Sequence, residues 1–369
     1  MDLSLSNEQT VWRQSAANFA SEEARPLWNR VEMDQQSVST MFEKAKKIGL
    51  FDAWIDEQET GFDLTTMAII AEELAWGDGS LALILVNNYL CYRAAKLLGD
   101  AGMEKRVIEL LTAASKGLET VLVWSGSDEQ ETVGEKALSV FDKSRNSISI
   151  KSKMSLAQAE TMAYMGCVLL DSSSETYGFF LIEAGSDTAK TVIKPIETLG
   201  LQGIRFSEMS LEKELDTKDC IVEFKDKQKY QSFLKELSKE RAILLASVVT
   251  GIARAGFEYA LEYSKERTTF GKPISQHQAV SLRLAEMGIG LESSRLLIWE
   301  ASNRDGEGRL DEELAIGAWK YSQEIAVQVA IDAVQTLGGH GYLKYHPVEK
   351  WMRDAQFLSL LYDNQDLFG

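Results

Sequence analysis

Apolar residues recur at helical spacing over both ends of the chain and at strand spacing through its middle. The first helical stretch opens at Ser6, which with Gln9 makes a capping-box pattern, while Leu5 is placed to staple onto the first turn. TVWRQSAANFA then carries Val11, Ala16, Phe19 and Ala20 near helical period. Further helical runs follow at MFEKAKKIGLF, TTMAIIAEELAW and ALILVNNYLCYRAAKLL, with Gly61, Gly77 and Gly79 as punctuation. From about residue 119 the pattern changes. VLVW, KALSVF, SISIK, CVLLD and YGFFLIEA are short apolar or β-branched runs between Ser, Asp and Gly, and they predict strands of a small antiparallel unit as far as Phe224. The acidic run EKELDTKD within this region reads as a solvated loop.

Helical period returns in RAILLASVVTGIARAGFEYALEYSKER, QAVSLRLAEMGIGLESSRLLIWEAS and EELAIGAWKYSQEIAVQVAIDAVQTL. TFGKPIS and NRDGEGRLD separate these runs, so they predict a bundle of long antiparallel helices. The expected organisation is a helical domain over 1–118, a central antiparallel β domain over 119–226 and a helical bundle over 227–369. The fold class is mainly α.

Composition narrows the partners. Thirty-nine basic against 56 acidic residues give a net charge of −17, which disfavours nucleic acid and anionic membrane surfaces. No apolar run approaches the roughly 20 residues that span a bilayer. The opening MDLSLSNEQT lacks the basic and apolar regions of a signal peptide, and Cys91, Cys167 and Cys220 are too few and too far apart for a disulfide framework. A cytoplasmic protein is the expectation. His277, His340 and His346 are the only histidines, and HExxH, CxxC and GxSxG are absent, so no metal site is expected.

Two stretches invite a ligand. In SKERTTFGKPISQHQ, Gly271 and Pro273 stop one long helix and Gln276 to Gln278 open the next, so an arginine, an aromatic ring and amide side chains converge at a corner. Arginine suits a bidentate phosphate contact, and the corner is equally readable as a solvated Arg267 beside a core Phe270. GGHG, at residues 338–341, is either a glycine helix cap or a backbone surface that a ligand approaches closely.

RTTFGKPISQHQAV followed by LAEM, AVQTLGGHGY and YHPVEKWMRDA resembles, in order and spacing, the C-terminal domain of acyl-CoA dehydrogenases. The likeness extends to the opening LSNEQTVWRQSAANFASEEARP, to GLFDAWIDEQETG and to LGLQGIRFSEMSLEKEL. The resemblance implies helical, β and four-helix-bundle domains, assembled as a dimer or a dimer of dimers. It also implies FAD as cofactor and an acyl-CoA thioester as substrate. In that family a carboxylate takes the α-proton, flavin takes the β-hydride, and an electron-transferring flavoprotein removes the electrons.

Each FAD of the family lies at a dimer interface, and the two halves of that site fare differently here. The half that reaches the neighbour's FAD is matched at Arg267, Thr269, Phe270, Ile274, His277, Gln278, Gln335, Gly338 and Gly339. The half that holds a chain's own FAD departs from the pattern. The TEPxAGSD loop is reduced to Gly126, Ser127 and Asp128, arriving early after the strand and without Thr-Glu-Pro. KMWIT is replaced by Lys153, Met154, Ser155, Leu156 and Ala157, removing the ring platform and the hydroxyl. RDAxxxxIYEGT, which carries the base, becomes RDAQFLSLLYDNQ, so the base position falls on Tyr362 or, after a slip of one residue, on Asp363. Some members place the base on the long helix, where Glu240 lies near the matching position, with Arg241 beside it as a substrate contact.

Three functions follow from this contrast. The leading one is a subunit of a hetero-oligomeric acyl-CoA dehydrogenase that lends its intact half-site to a second family chain. Another is a self-sufficient homo-oligomer using Asp363 or Glu240 as base. The third is other flavin chemistry on the fold, or a non-catalytic structural subunit.

Overall fold

The computed structural model describes residues 4–34, 36–51, 54–55, 63–113, 120–123, 138–142, 145–156, 163–170, 176–183, 187–224, 226–306 and 312–361. Ser6 caps the first helix, α1 (Asn7–Phe19), through both bonds of a capping box: Gln9 N donates to Ser6 Oγ and Ser6 N to Gln9 Oε1. Four more α-helices follow among the described residues of the N-terminal part: α2 (Gln36–Lys47), α3 (Leu64–Gly77), α4 (Gly79–Leu98) and α5 (Ala101–Ala113). Apolar residues surround α3 and α4 on nearly every side, and both helices are almost entirely buried.

Among the described residues eight strands follow: β1 (Thr120–Val123), β2 (Leu138–Asp142), β3 (Ser147–Leu156), β4 (Ala163–Leu170), β5 (Thr176–Glu183), β6 (Ala189–Ile196), β7 (Phe206–Glu214) and β8 (Cys220–Phe224). They form one sheet in the order β6-β7-β3-β2-β4-β5-β8, with β1 beside β4. The pairings are antiparallel except for β1 with β4 and a single-residue β2–β4 contact, which are parallel. The run EKELDTKD is not the solvated loop expected. Its first residues continue β7, and Lys213 is wholly buried with its ammonium 2.6 Å from Asp219 and 3.2 Å from Asp216. The charges of this run neutralise one another across a turn, so a stretch that looks solvent-loving closes on itself.

The C-terminal part is α6 (Lys227–Glu266), a two-residue hairpin of β9 (Thr268–Thr269) and β10 (Lys272–Pro273), α7 (Gln278–Gly306), α8 (Glu312–Leu337) and α9 (Val348–Leu361). The first long helix begins at Lys227, ahead of the apolar run that opens at Arg241. Tyr230, Phe233 and Leu237 form a buried stripe there, with Tyr230 stacked on Tyr177 and Phe233 edge-on to Phe179 of β5. A polar-looking lead-in is thus helical because its few apolar residues dock on the sheet. By length and mean hydropathy α6 could cross a bilayer, but 83% of its most apolar window is buried inside the protein. Gly251 permits this core position, since a Cβ there would lie 2.3 Å from the carbonyl oxygen of Glu72 on α3.

Two polar knots lock the parts together. Arg25 is sandwiched between the indoles of Trp76 and Trp351, 4.4 and 3.9 Å from the ring centroids. Burial lowers its pKa to about 10, against the opposing pull of Glu258. On α9, buried Asp354 accepts from the backbone N–H of Leu201 at 2.6 Å and from Lys350 at 2.6 Å, and Lys350 reaches Asp78 at 3.3 Å. Leu201 is held at a left-handed φ of 51° beneath this carboxylate. Asp354 therefore fixes the end of the bundle to the loop entering β7.

Candidate active site

Residues 267–278 form a tight corner. The α6 helix ends at Arg267, whose N–H donates to Tyr263 O, and Ile274 N donates back to Arg267 O at 2.8 Å. Between them the hairpin pairs Thr269 with Lys272 across a two-residue loop. Phe270 has φ 51° and Gly271 φ 79°, the double positive φ that a right-twisted hairpin favours. Glycine adopts this at no cost, whereas a bulky phenylalanine in the left-handed region is a strained exception. The Phe270 side chain is 98% exposed, so it does not pack into a core. His277 ties the turn down: Nε2 lies 3.2 Å from Thr269 Oγ1 and 3.3 Å from Thr269 O, and its ring meets Phe270 edge-on at 6.2 Å. Arg267 and Gln278 are exposed on the same corner, while Thr269 and Ile274 are half-buried.

The second limb comes from the end of α8. Gln335, Gly338 and Gly339 are exposed, and Gly338 has φ 60°. A Cβ built on either glycine meets no atom within 4 Å, so the backbone faces open space. Arg283 on α7 and Asp332 on α8 form an ion pair at 3.2 Å, which brings the helix carrying Gln278 alongside the helix carrying Gln335. The structure therefore gathers an exposed arginine, a phenyl ring, two amides and an uncovered glycine backbone on one flank.

The other half of the expected site is only partly within the described residues. Ser155 and Leu156 lie on β3, paired with Ser207 and Phe206 of β7, next to a register shift between Ser152 and Ser155. The residues Gly126, Ser127, Asp128, Ala157, Tyr362 and Asp363 lie outside them. Glu240 is buried on α6, and both its oxygens are taken by Arg93 of α4 at 2.6 to 3.1 Å. Arg241 beside it is also buried. Arg93 had no signal in the sequence, because its partner is 147 residues away. Among the described residues no cluster of His, Cys, Asp and Glu could hold a metal ion.

Residues 6–115 match the family model for the acyl-CoA dehydrogenase N-terminal domain, and residues 230–361 that for the C-terminal domain. An acyl-CoA dehydrogenase of Bacillus subtilis is 26% identical over 95% of this chain and 93% of its own length. A short-chain specific acyl-CoA dehydrogenase of Clostridium acetobutylicum is 25% identical, over 98% of this chain and 95% of that one. The butyryl-CoA dehydrogenase structure from Megasphaera elsdenii superposes with a TM-score of 0.80 at 21% identity, covering 97% and 95% of the two chains. These matches define an oxidoreductase of the flavoprotein class. The chain belongs to the acyl-CoA dehydrogenase family, whose members carry FAD and oxidise acyl-CoA thioesters.

The corner fits that cofactor. A guanidinium can neutralise a pyrophosphate, an exposed ring offers a flat apolar face, and the open backbone at Gly338 and Gly339 admits close approach. When bound, FAD would supply the acceptor for the substrate's hydride, and Arg267, Phe270, Gly338 and Gly339 are the residues that would bind and orient it.

Proposed function

We propose that this chain is a subunit of a hetero-oligomeric acyl-CoA dehydrogenase. It presents Arg267, Thr269, Phe270, Ile274, His277, Gln278, Gln335, Gly338 and Gly339 to an FAD that a second family chain holds. That partner supplies the base and the acyl-CoA pocket, and an electron-transferring flavoprotein takes the electrons. The observation that carries this reading is Phe270, an aromatic ring held in a strained turn and wholly outside the chain's own core. Strain of about 1–3 kcal/mol is retained where a ligand or partner uses the geometry. The state of Glu240 supports the same reading. A carboxylate held on both oxygens by Arg93 is engaged in a buried ion pair joining α4 to α6, which disfavours a self-sufficient enzyme with Glu240 as base.

The test is purification of the chain by itself and together with chains that accompany it in its host. The expected result is a colourless, inactive protein alone and a yellow, active complex. Stoichiometric FAD and turnover of any acyl-CoA by the lone chain would overturn the proposal.

A further inference from the structure

We propose that Tyr259, Tyr263, His340 and His346 are positioning residues that set the spacing between the two limbs of the FAD half-site, an inference that rests on the half-site reading above. Tyr259 and Tyr263 are one turn apart on the same face of α6, close to its end. Each phenol meets an imidazole of the segment leaving α8. Tyr263 OH lies 2.6 Å from His340 Nδ1, and Tyr259 OH lies 2.8 Å from His346 Nδ1. The two imidazoles stack on each other at 5.8 Å and 29°. Tyr345 closes edge-on against His346 at 5.1 Å, and Trp351 against Tyr259 at 6.0 Å.

Position gives this ladder its role. The Tyr263 carbonyl accepts the N–H of Arg267, and His340 directly follows Gly339. One phenol–imidazole bond thus joins the limb ending in Arg267 to the limb ending in Gly339. The second bond, with the ring stack, keeps the segment after Gly339 from swinging. Close packing at Gly341 fixes the far side, since a Cβ there would lie 2.4 Å from Val334 O. None of the four side chains belongs to the FAD-facing set; they act on it through the backbone. A displacement of about 1 Å in such a set can cost about 100-fold in rate.

The ladder also carries a pH dependence. His346 faces His340, Tyr259, Tyr263 and Tyr345, while Arg25 and Glu266 act on Tyr259. Burial, and then the neighbouring His340, lower the pKa of His346 from its ordinary 6.5. A histidine with a lowered folded value contributes fully above 6.5, and the contribution is lost as pH falls through the lower value. Protonation of His346 then sets a cation against the His340 ring, 5.8 Å away and stacked on it.

The experiment uses the complex as it exists, isolated from its host with the partner chains that copurify, with FAD as the probe. Bound FAD and its release rate are measured at pH 8 and on acidification, beside thermal unfolding, for the wild type, Tyr263→Phe, His340→Leu and His340→Asn. Tyr263→Phe and His340→Leu are expected to release FAD about 5- to 10-fold faster, the effect of one lost hydrogen bond. His340→Asn keeps an acceptor near the Nδ1 position and removes the imidazole that helps lower the His346 pKa. It is expected to retain FAD at pH 8 and to lose less of it in acid than the wild type does. Wild-type release from Tyr263→Phe and His340→Leu would overturn the positioning role, as would FAD loss in all variants that merely tracks their unfolding temperature. A wild-type complex without FAD would instead sink the half-site reading, and this inference with it.

Discussion

Arg93 grips Glu240 from both sides of its carboxylate, with Nε 2.9 Å from Oε2 and Nη2 2.6 Å from Oε1. The pair joins α4 to α6, and the Glu240 side chain is 4% exposed. Removing one partner of such a pair strands the other charge, at a cost of about 3–5 kcal/mol. Glu240→Gln is therefore expected to lower the unfolding free energy by several kcal/mol and to leave the turnover of the assembled enzyme unchanged. Loss of a general base would instead lower kcat by about 100-fold or more at unchanged stability. Denaturant unfolding and steady-state kinetics on one preparation separate the two outcomes.

Phe270 is strained in the free chain and exposed to 98%. Asparagine tolerates the left-handed region far better than phenylalanine. Phe270→Asn is expected to raise stability by about 0.5–1 kcal/mol while weakening FAD retention in the complex. The two effects have opposite signs, so a general loss of folding cannot mimic them. A variant that is less stable than the wild type contradicts the strain; one that is more stable with unaltered FAD binding contradicts the role of the ring.

Glu73 sits in a buried charge network with Arg254 at 2.5 and 3.1 Å and Arg13 at 3.0 Å, next to a second pair of Glu72 with Arg295 at 2.7 Å. Burial pushes the Glu73 carboxyl up, but bonding to Arg254 and then Arg13 outweighs it, and the net pKa lies below the ordinary 4.5. A carboxylate with a depressed folded value contributes stability that is present above 4.5 and lost as pH falls through the lower value. The stability difference between the wild type and Glu73→Gln should therefore be full at neutral pH and shrink below pH 4.5. Denaturant midpoints across an acid series measure it, and a difference that does not change with pH refutes the linkage.

What the sequence disclosed was local. The bonds between Ser6 and Gln9 span three residues, so a capping box could be read and is present. The helical periods of α3, α4, α7 and α8 were legible because each repeats over many turns. Contacts that depend on distant partners were not. The bond of Arg93 to Glu240 crosses 147 residues, and nothing about either residue type announces it. Lys213 looked solvated because its neighbours are charged, yet those same charges are what bury it. The lead-in to α6 ahead of Arg241 showed no apolar run of its own, because Tyr230 and Phe233 dock on a sheet whose position no local pattern specifies. At the candidate site, motif and spacing chose the residues, while the left-handed turn at Phe270 emerged only from the backbone. Phe-Gly is not a pair that turn preferences single out, since Asn-Gly and Asp-Gly dominate such loops.

Gly339 offers the most selective test of the half-site. A Cβ added there meets nothing within 4 Å in this chain, and its φ is not in the left-handed region, so alanine fits the free protein without strain. It differs in this from Gly341, where a Cβ would strike Val334 O at 2.4 Å, and from Gly338, where φ is 60°. Gly339→Ala is thus expected to leave the unfolding temperature of the isolated chain at the wild-type value. In the complex the added methyl occupies space that the half-site reading gives to FAD, so FAD binding should weaken by about 10-fold or more, the equivalent of roughly 1.4 kcal/mol. Gly341→Ala serves as the opposing control, because its overlap with backbone lies inside the chain and should lower stability. Equal FAD binding by Gly339→Ala and the wild type would show that the open backbone at this position faces solvent and not the cofactor.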